Sequence, residues 1–270
     1  VLDILKQKGL LYKKGEAIWV KTSLFGDDKD RVVIKASGDQ TYFLSDIAYL
    51  WNKFELRKFD KVIDIWGADH YGYVKRMQAV LKALGHEGKF DIIIVQLVRL
   101  IEGGVEIRMS KRSGTYVTLD ELIDEVGLDA ARFFFLMYAA ETHMDFDMTL
   151  AKKKSEKNPV YYVQYAHARI CSIMKRINKE ARKGDRQKIK VFLREEPELK
   201  LAKMLIKFPE ILESAAQNYQ VNKLPTFARE LASNFHDFYT QCRVIESEGI
   251  NQSRLQLIKA TQIVLAETLK

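Results

Sequence analysis

A chain of 270 residues with 47 % hydrophobic and 30 % charged side chains can fill one large core or two ordinary ones, and two domains are expected. No run of about 18 uncharged apolar residues occurs, and the opening Val1-Leu2-Asp3-Ile4-Leu5-Lys6 has no signal-peptide layout, so a soluble, cytoplasmic protein is expected. The two cysteines, Cys171 and Cys242, form no CxxC and have no histidine at ligand spacing, which argues against a disulfide framework or a protein-bound metal site and for buried thiols on helices. The net charge of +8 is concentrated: residues 151–200 hold 15 basic and 6 acidic side chains, together with Tyr161, Tyr162 and Tyr165. Cations neutralise phosphates and rings stack on unpaired bases, so this composition suits nucleic acid. A solvated basic helix face would carry the same charge.

In chain order, residues 10–45 read as hairpins. Lys14-Gly15 lies between Leu10–Tyr12 and Ala17–Val20, and Gly38-Asp39 between Val32–Lys35 and Thr41–Leu44. Ser45 can then cap a helix running through Phe54. Lys61–Trp66 is a strand, His70–Leu84 a helix stopped by Gly85, and Asp91–Val95 an apolar strand, a spacing that implies a parallel βαβ unit. Gly103-Gly104 reverses the chain through Val105–Ile107 into Arg108-Met109-Ser110-Lys111-Arg112-Ser113-Gly114, and Thr118–Glu121 is a capping box that opens a short helix. From Met148 onward the periodicity is helical only, with later helices at Pro209–Tyr219, Leu224–Val244 and Gln252–Lys270 forming an antiparallel bundle.

Three places in the first half carry chemistry. Gly67-Ala68-Asp69-His70 ends a parallel strand where nucleotides bind in open α/β sheets; Gly67 permits close approach to the backbone, and Asp69 either accepts from ribose hydroxyls or merely caps the helix. Arg108–Gly114 is a phosphate clamp in which Lys111 delivers a point charge and Arg108 and Arg112 grip oxygens in pairs, or else an exposed basic turn. In Tyr42–Tyr49, Asp46 sits in the first turn of its helix and Tyr42 approaches from the preceding strand; carboxylate and phenol suit a guanidinium or ammonium, although Asp46 could simply favour the helix dipole.

The strings YFLSDIAY (42–49), IWGADHYGY (65–73), RMSKRSGTYVTLDELIDEVGLDAARFFF (108–135) and NPVYYVQYAHARI (158–170) together resemble bacterial arginyl-tRNA synthetases, enzymes of class I, over essentially the whole chain. Arg108-Met109-Ser110-Lys111 is similar to the Lys-Met-Ser-Lys signature of the class, with Arg108 in place of the first lysine. The resemblance implies catalytic positions at Arg108, Ser110 and Lys111, with Lys111 stabilising the pyrophosphate leaving group. It further implies ATP contacts at Gly67, Asp69, Gln96, Leu97, Met109 and Lys111, with backbone of Gln96-Leu97 against the adenine, and arginine contacts at Tyr42, Asp46 and His70. The implied reaction joins arginine to tRNA(Arg) at the expense of ATP, with Mg2+ accompanying the nucleotide, in an intact enzyme that is a monomer.

The expected fold is α/β plus all-α: the second half of a class I Rossmann-type nucleotide-binding domain (1–115), a connecting helical region that meets the tRNA stem (116–150), and a DALR-type anticodon-binding bundle (151–270). No His-Ile-Gly-His-type string occurs and the family's N-terminal tRNA-binding domain is missing, so the chain reads as a fragment of a longer enzyme, inactive by itself, whose family continues a turn or two past Lys270. In the helical half, Val163, Ala166, Ile170, Ile173 and Ile177 form one apolar stripe, and Tyr162, Tyr165, Arg169 and Arg176 flank it. Tyrosines at this spacing are either packing residues or a stacking surface; by resemblance Tyr162, Tyr165 and Arg169 meet the anticodon loop, with Tyr239 a further candidate. A noncatalytic tRNA-binding module is the alternative, from which the Lys111 loop discriminates; a cysteinyl-type relative would want zinc ligands that are missing.

Overall fold

The computed structural model describes residues 1–107, 117–180, 191–247 and 249–270. They form two compact units, Val1–Leu97 with Ala140–Thr142, and Val98–Ala139 with His143–Lys270.

In the first unit a short helix α1 (Leu2–Gln7) leads into the hairpin of β1 (Leu11–Lys14) and β2 (Ala17–Val20), to which β3 (Arg31–Ile34) adds an antiparallel third strand. Of the second expected hairpin only the bridge Ile34↔Gln40 remains. The next helix, α2 (Tyr42–Trp51), starts one turn earlier than Ser45, because Thr41 is the cap: its side chain accepts from the Leu44 N–H and its hydroxyl lies 3.2 Å from the Val33 carbonyl. Phe43, Leu44, Ile47 and Leu50 are buried, so the apolar phase of the helix also begins before Ser45. Tyr42 therefore stands on the helix rather than on a strand, and Asp46 in its second turn.

The βαβ unit is present as the spacing predicts. β4 (Val62–Gly67) pairs in parallel with β5 (Phe90–Val95), Gly67 opposite Val95, so both strands release the chain at the same level. The helix between them, α3 (Val74–Leu84), stops where Gly85 takes φ +94°. It starts later than His70, because Ala68–Tyr73 winds as a 3-10 helix. Met77, Val80, Leu81 and Leu84 of α3 pack with Phe43, Ile47, Leu50, Val62 and Phe90 in one core.

The second unit opens with the hairpin β6 (Val98–Glu102) and β7 (Val105–Glu106), turned by Gly103 and Gly104. Then come α4 (Leu119–Val126), with the Thr118–Glu121 capping box as read from the sequence, and α5 (Leu128–Leu136). A strand that periodicity missed, β8 (Met144–Asp147), pairs in parallel with β6, before a short α6 (Met148–Ala151). The long helices are α7 (Pro159–Glu180), α8 (Glu196–Asn218), α9 (Lys223–Gln241) and α10 (Gln252–Thr268), with a small pair β9 (Ile245–Glu246) and β10 (Gly249–Ile250) interrupting the all-helical run expected. Pro209 lies inside α8 rather than at its start; the start is marked by a capping box of Glu195 and Glu198 and by Pro197 in the first turn. Val163, Ala166, Ile170 and Ile177 are buried and Ile173 packs against the same core, beside Leu201, Leu231, Phe235, Phe238 and Ile258.

No helix among the described residues is long and apolar enough to cross a membrane. One buried ionic network ties the bundle together. Glu198, 3 % exposed, accepts from the backbone N–H groups of Arg194 and Glu195 and from Arg254 Nε at 2.5 Å, while Arg254 also donates to Glu246 and to the Arg243 carbonyl. Burial pushes the Glu198 carboxyl up, but the guanidinium and the two N–H donors outweigh it and hold the group below its ordinary value. The unfolded chain then takes up the proton first, so this stabilisation is complete above about pH 4.3, the free glutamate value, and is lost as pH falls through the lower folded one. Glu198→Gln is expected to lower stability at pH 7 by about 1–2 kcal/mol, the difference between a charged and a neutral acceptor. In thermal unfolding followed from pH 7 to about pH 3, the gap from the parent chain should close with acid; a constant gap contradicts the account.

Candidate functional site

The first unit carries a cleft of about 480 Å³. Tyr42, Asp46 and Tyr49 line it from α2, spaced four and three residues apart and so on one helix face. Asp64 and Trp66 line it from β4, where alternate residues share a side of the strand. His70 and Tyr73 enter from the 3-10 turn beyond that strand. The three residues expected around arginine, Tyr42, Asp46 and His70, thus line one concavity.

The two carboxylates of this cleft differ in their partners. Asp64 is neutralised by Lys53, whose ammonium lies 2.7 Å from Oδ1 and 4.5 Å from the Tyr49 ring centroid, with both side chains of the ion pair largely buried. Asp46 meets a neutral donor instead, the Tyr73 hydroxyl, which donates to Oδ2 at 2.7 Å. Burial, and then this bond to a carboxylate, push the Tyr73 phenol well above its ordinary range, so it stays protonated and remains a donor. Among the described residues no cation pairs with Asp46, and its second oxygen is left to accept from one.

Gly67 and Asp69 stand at the end of β4. A Cβ on Gly67 would meet Asp69 Oδ1 at 2.7 Å, so the glycine is what lets that carboxylate fold back against the strand end. His70 Nε2 is 3.6 Å from Asp69 Oδ2, too long for a hydrogen bond. Gln96 and Leu97 follow the last residue of β5 rather than lying on it, and the Gln96 N–H donates to the Ala140 carbonyl at 2.9 Å. Leu97 is exposed. The loop with Arg108, Met109, Ser110 and Lys111 lies outside the described residues; the hairpin before it and the capped helix after it are both in place.

The second unit carries a cavity of about 660 Å³ lined by Tyr161, Tyr162, Tyr165 and Arg169 of α7 and by His236 and Tyr239 of α9. Arg169 donates to the Tyr165 hydroxyl, and its guanidinium carbon stands 5.2 Å and 5.1 Å from the ring centroids of Tyr165 and Tyr239. Tyr165 and Tyr239 are 42 % and 40 % exposed, whereas Tyr162 packs partly against the core. The flank read from the sequence thus divides into a packing tyrosine and two open ring faces joined by a cation. His236 is the member that sequence reasoning missed. Its ring stacks on Tyr165 at 5.7 Å and tilts against Tyr162 at 4.8 Å, its Nε2 is buried without a hydrogen-bond partner among the described residues, and burial lowers its pKa. Its position three residues before Tyr239 put it on the same helix face. Among the described residues no three His, Cys, Asp or Glu are grouped to hold a metal ion.

Residues 1–137 match the family described as tRNA synthetases class I (R), catalytic domain, and residues 163–270 match the DALR anticodon binding domain. An arginine–tRNA ligase of Desulforamulus reducens is 47 % identical over 272 residues, taking in 99 % of this chain and 48 % of the relative. An arginine–tRNA ligase of Syntrophotalea carbinolica is 48 % identical over 272 residues, 99 % of this chain and 49 % of its own. A solved Campylobacter jejuni structure described as an arginyl-tRNA synthetase superposes with a TM-score of 0.85 at 32 % identity, covering 99 % of this chain and 58 % of that one. The chain spans about half the length of the curated relatives it matches.

Proposed function

The chain belongs to the class I arginyl-tRNA synthetases, and from that premise we propose that it supplies the arginine-reading, leaving-group and anticodon-reading parts of an arginine–tRNA ligase. The observation that carries this reading is the Asp46 carboxylate, in one cleft with Tyr42 and His70 and, among the described residues, without a charged partner, while the neighbouring Asp64 is neutralised. A carboxylate so placed accepts a guanidinium through two parallel hydrogen bonds. The cleft takes in Trp66 near the carboxyl end of β4 and His70 beyond it, β5 ends level with β4, and nucleotides bind at that level in parallel sheets, which supports Gly67 and Asp69 against the ATP ribose and Gln96-Leu97 against the adenine. With the Gln96 N–H already given to Ala140, its carbonyl and the Leu97 backbone are the groups proposed for that contact.

In the proposed reaction the arginine carboxylate attacks the α-phosphate of ATP, the bond to the β-phosphate breaks, and pyrophosphate leaves with its Mg2+. Lys111 stabilises the leaving group, aided by Arg108, Met109 and Ser110. A hydroxyl of the terminal ribose of tRNA(Arg) then attacks the arginyl carbonyl, the bond to the phosphate breaks and AMP leaves, while the anticodon loop is met by Tyr162, Tyr165, Arg169 and Tyr239. Such an enzyme works where translation does, in the cytoplasm, and a single chain supplies both units. Residues 1–115 act in catalysis, 116–150 against the tRNA stem and 151–270 at the anticodon.

In the full-length enzyme, Asp46→Asn is expected to raise the arginine KM by one order of magnitude or more with a smaller effect on kcat, since an amide cannot take the guanidinium fork. Lys111→Ala is expected to lower adenylate formation about 10²–10³-fold with arginine affinity nearly unchanged, as loss of one preorganised charge-stabilising donor does. Arginine-dependent ATP–pyrophosphate exchange with tRNA present measures both; one shared defect for the two variants contradicts the division of roles.

The aromatic cavity generates a separate expectation. Tyr165→Ala should weaken tRNA binding by about 1–3 kcal/mol, the worth of one stacked base, and leave the salt dependence nearly intact. Loss of one lysine from the 151–200 segment should instead reduce the salt slope by about one unit. Titrations at several salt concentrations, with thermal unfolding of each variant, separate the two; a Tyr165 variant that unfolds early yet binds normally is a packing variant.

A further inference from the structure

Asp46 stands on the exposed side of α2, where an unsupported aspartate side chain would sample several rotamers. Here a neighbour from another element holds one oxygen. Tyr73 Oη donates to Oδ2 at 2.7 Å, and the ring that carries this hydroxyl is itself fixed. Phe43 meets it edge-on at 5.8 Å, Trp66 at 5.9 Å, and the Arg76 guanidinium covers its face at 4.6 Å. The phenol takes one of about four lone-pair sites on the carboxylate, so each oxygen keeps acceptor capacity towards the cleft. What the bond removes is rotation of the carboxylate plane.

Resting on the reading of Asp46 as the arginine-pairing group, we infer that Tyr73 is a positioning residue that sets substrate specificity: by fixing the plane of Asp46 it favours a planar guanidinium over an ammonium. The physical reason lies in the two cations. A guanidinium presents its donors in a rigid plane and gains its second hydrogen bond only when the carboxylate is coplanar. An ammonium is a compact point charge with freely rotating donors and is nearly indifferent to that plane. Fixing the plane therefore strengthens binding of arginine more than binding of lysine, without any clash against the competitor. Asp64 cannot blur the choice, since Lys53 already occupies it. Tyr73 suits this task better than a charged donor would, because a cation on Oδ2 would neutralise the group that must attract the substrate.

The test uses the full-length enzyme and three chains: the parent, Tyr73→Phe, which removes only the hydroxyl and keeps the ring packed against Phe43 and Trp66, and Asp46→Asn. For each, the arginine KM, the ATP KM and kcat are taken from arginine-dependent ATP–pyrophosphate exchange, the lysine inhibition constant from the same assay, and the midpoint from thermal unfolding. Tyr73→Phe is expected to raise the arginine KM roughly tenfold, as loss of a hydrogen bond to a charged acceptor does. The lysine constant should change less than twofold, so the arginine-to-lysine preference falls, while kcat and the ATP KM stay within a factor of two. If Asp46→Asn raises the arginine KM but Tyr73→Phe leaves KM and preference unaltered, the Tyr73 role is overturned and the Asp46 reading survives. If Asp46→Asn leaves the arginine KM unaltered, the underlying reading fails and the inference with it. A Tyr73→Phe enzyme whose midpoint, kcat and both KM values worsen together would show a structural role only and overturn the specificity role.

Discussion

Two carboxylates line one cleft, and among the described residues only one of them meets a cation. Lys53 meets Asp64 with a full charge, whereas Tyr73 meets Asp46 with a neutral hydroxyl. In a concave site a carboxylate with acceptor capacity left attracts a counter-charge, and the packing around Tyr73 holds that carboxylate in place. Phe43 and Trp66 pack edge-on against the Tyr73 ring that carries the hydroxyl, and the Arg76 cation lies over the face of that ring.

The parallel pairing of β4 and β5 gives that cleft its location. Because Gly67 and Val95 are register partners, the turn that carries Asp69 and His70 and the segment of Gln96 and Leu97 leave the sheet at the same level. Glu198 accepts from one guanidinium and two backbone donors, which makes it a strut rather than a site, and the Asp64 charge is met by the Lys53 ammonium. Asp46 and the open faces of Tyr165 and Tyr239 are the contrast, with capacity left towards their cavities.

What the sequence showed and what it hid divide along the range of the interactions. The βαβ unit, the stop at Gly85, the Thr118–Glu121 capping box and the stripe from Val163 to Ile177 were legible, because each is decided within a few turns of chain. The start of α2 was not, since Thr41 and Ser45 are both able caps and the choice fell to Thr41 through its bond to the Val33 carbonyl. β8 was hidden for the same reason, its partner β6 lying more than forty residues earlier. Among the cleft residues, Tyr42 and Asp46 could be named from type and spacing and His70 from the family resemblance alone, but Tyr73 could not be read as a partner of Asp46, nor Lys53 as the partner of Asp64, until the chain was folded. His236 likewise gained its place only when α9 packed against α7.

The central claim is that the uncancelled Asp46 charge is the recognition element for arginine, and the most direct measurement is a crystal structure of the full-length enzyme with arginine bound. The account predicts the substrate guanidinium coplanar with the Asp46 carboxylate at hydrogen-bond distance, the Tyr73 hydroxyl still on Oδ2, and the Lys53–Asp64 pair unbroken. A guanidinium that instead displaces Lys53 from Asp64, or that binds away from this cleft with Asp46 unoccupied, would contradict it.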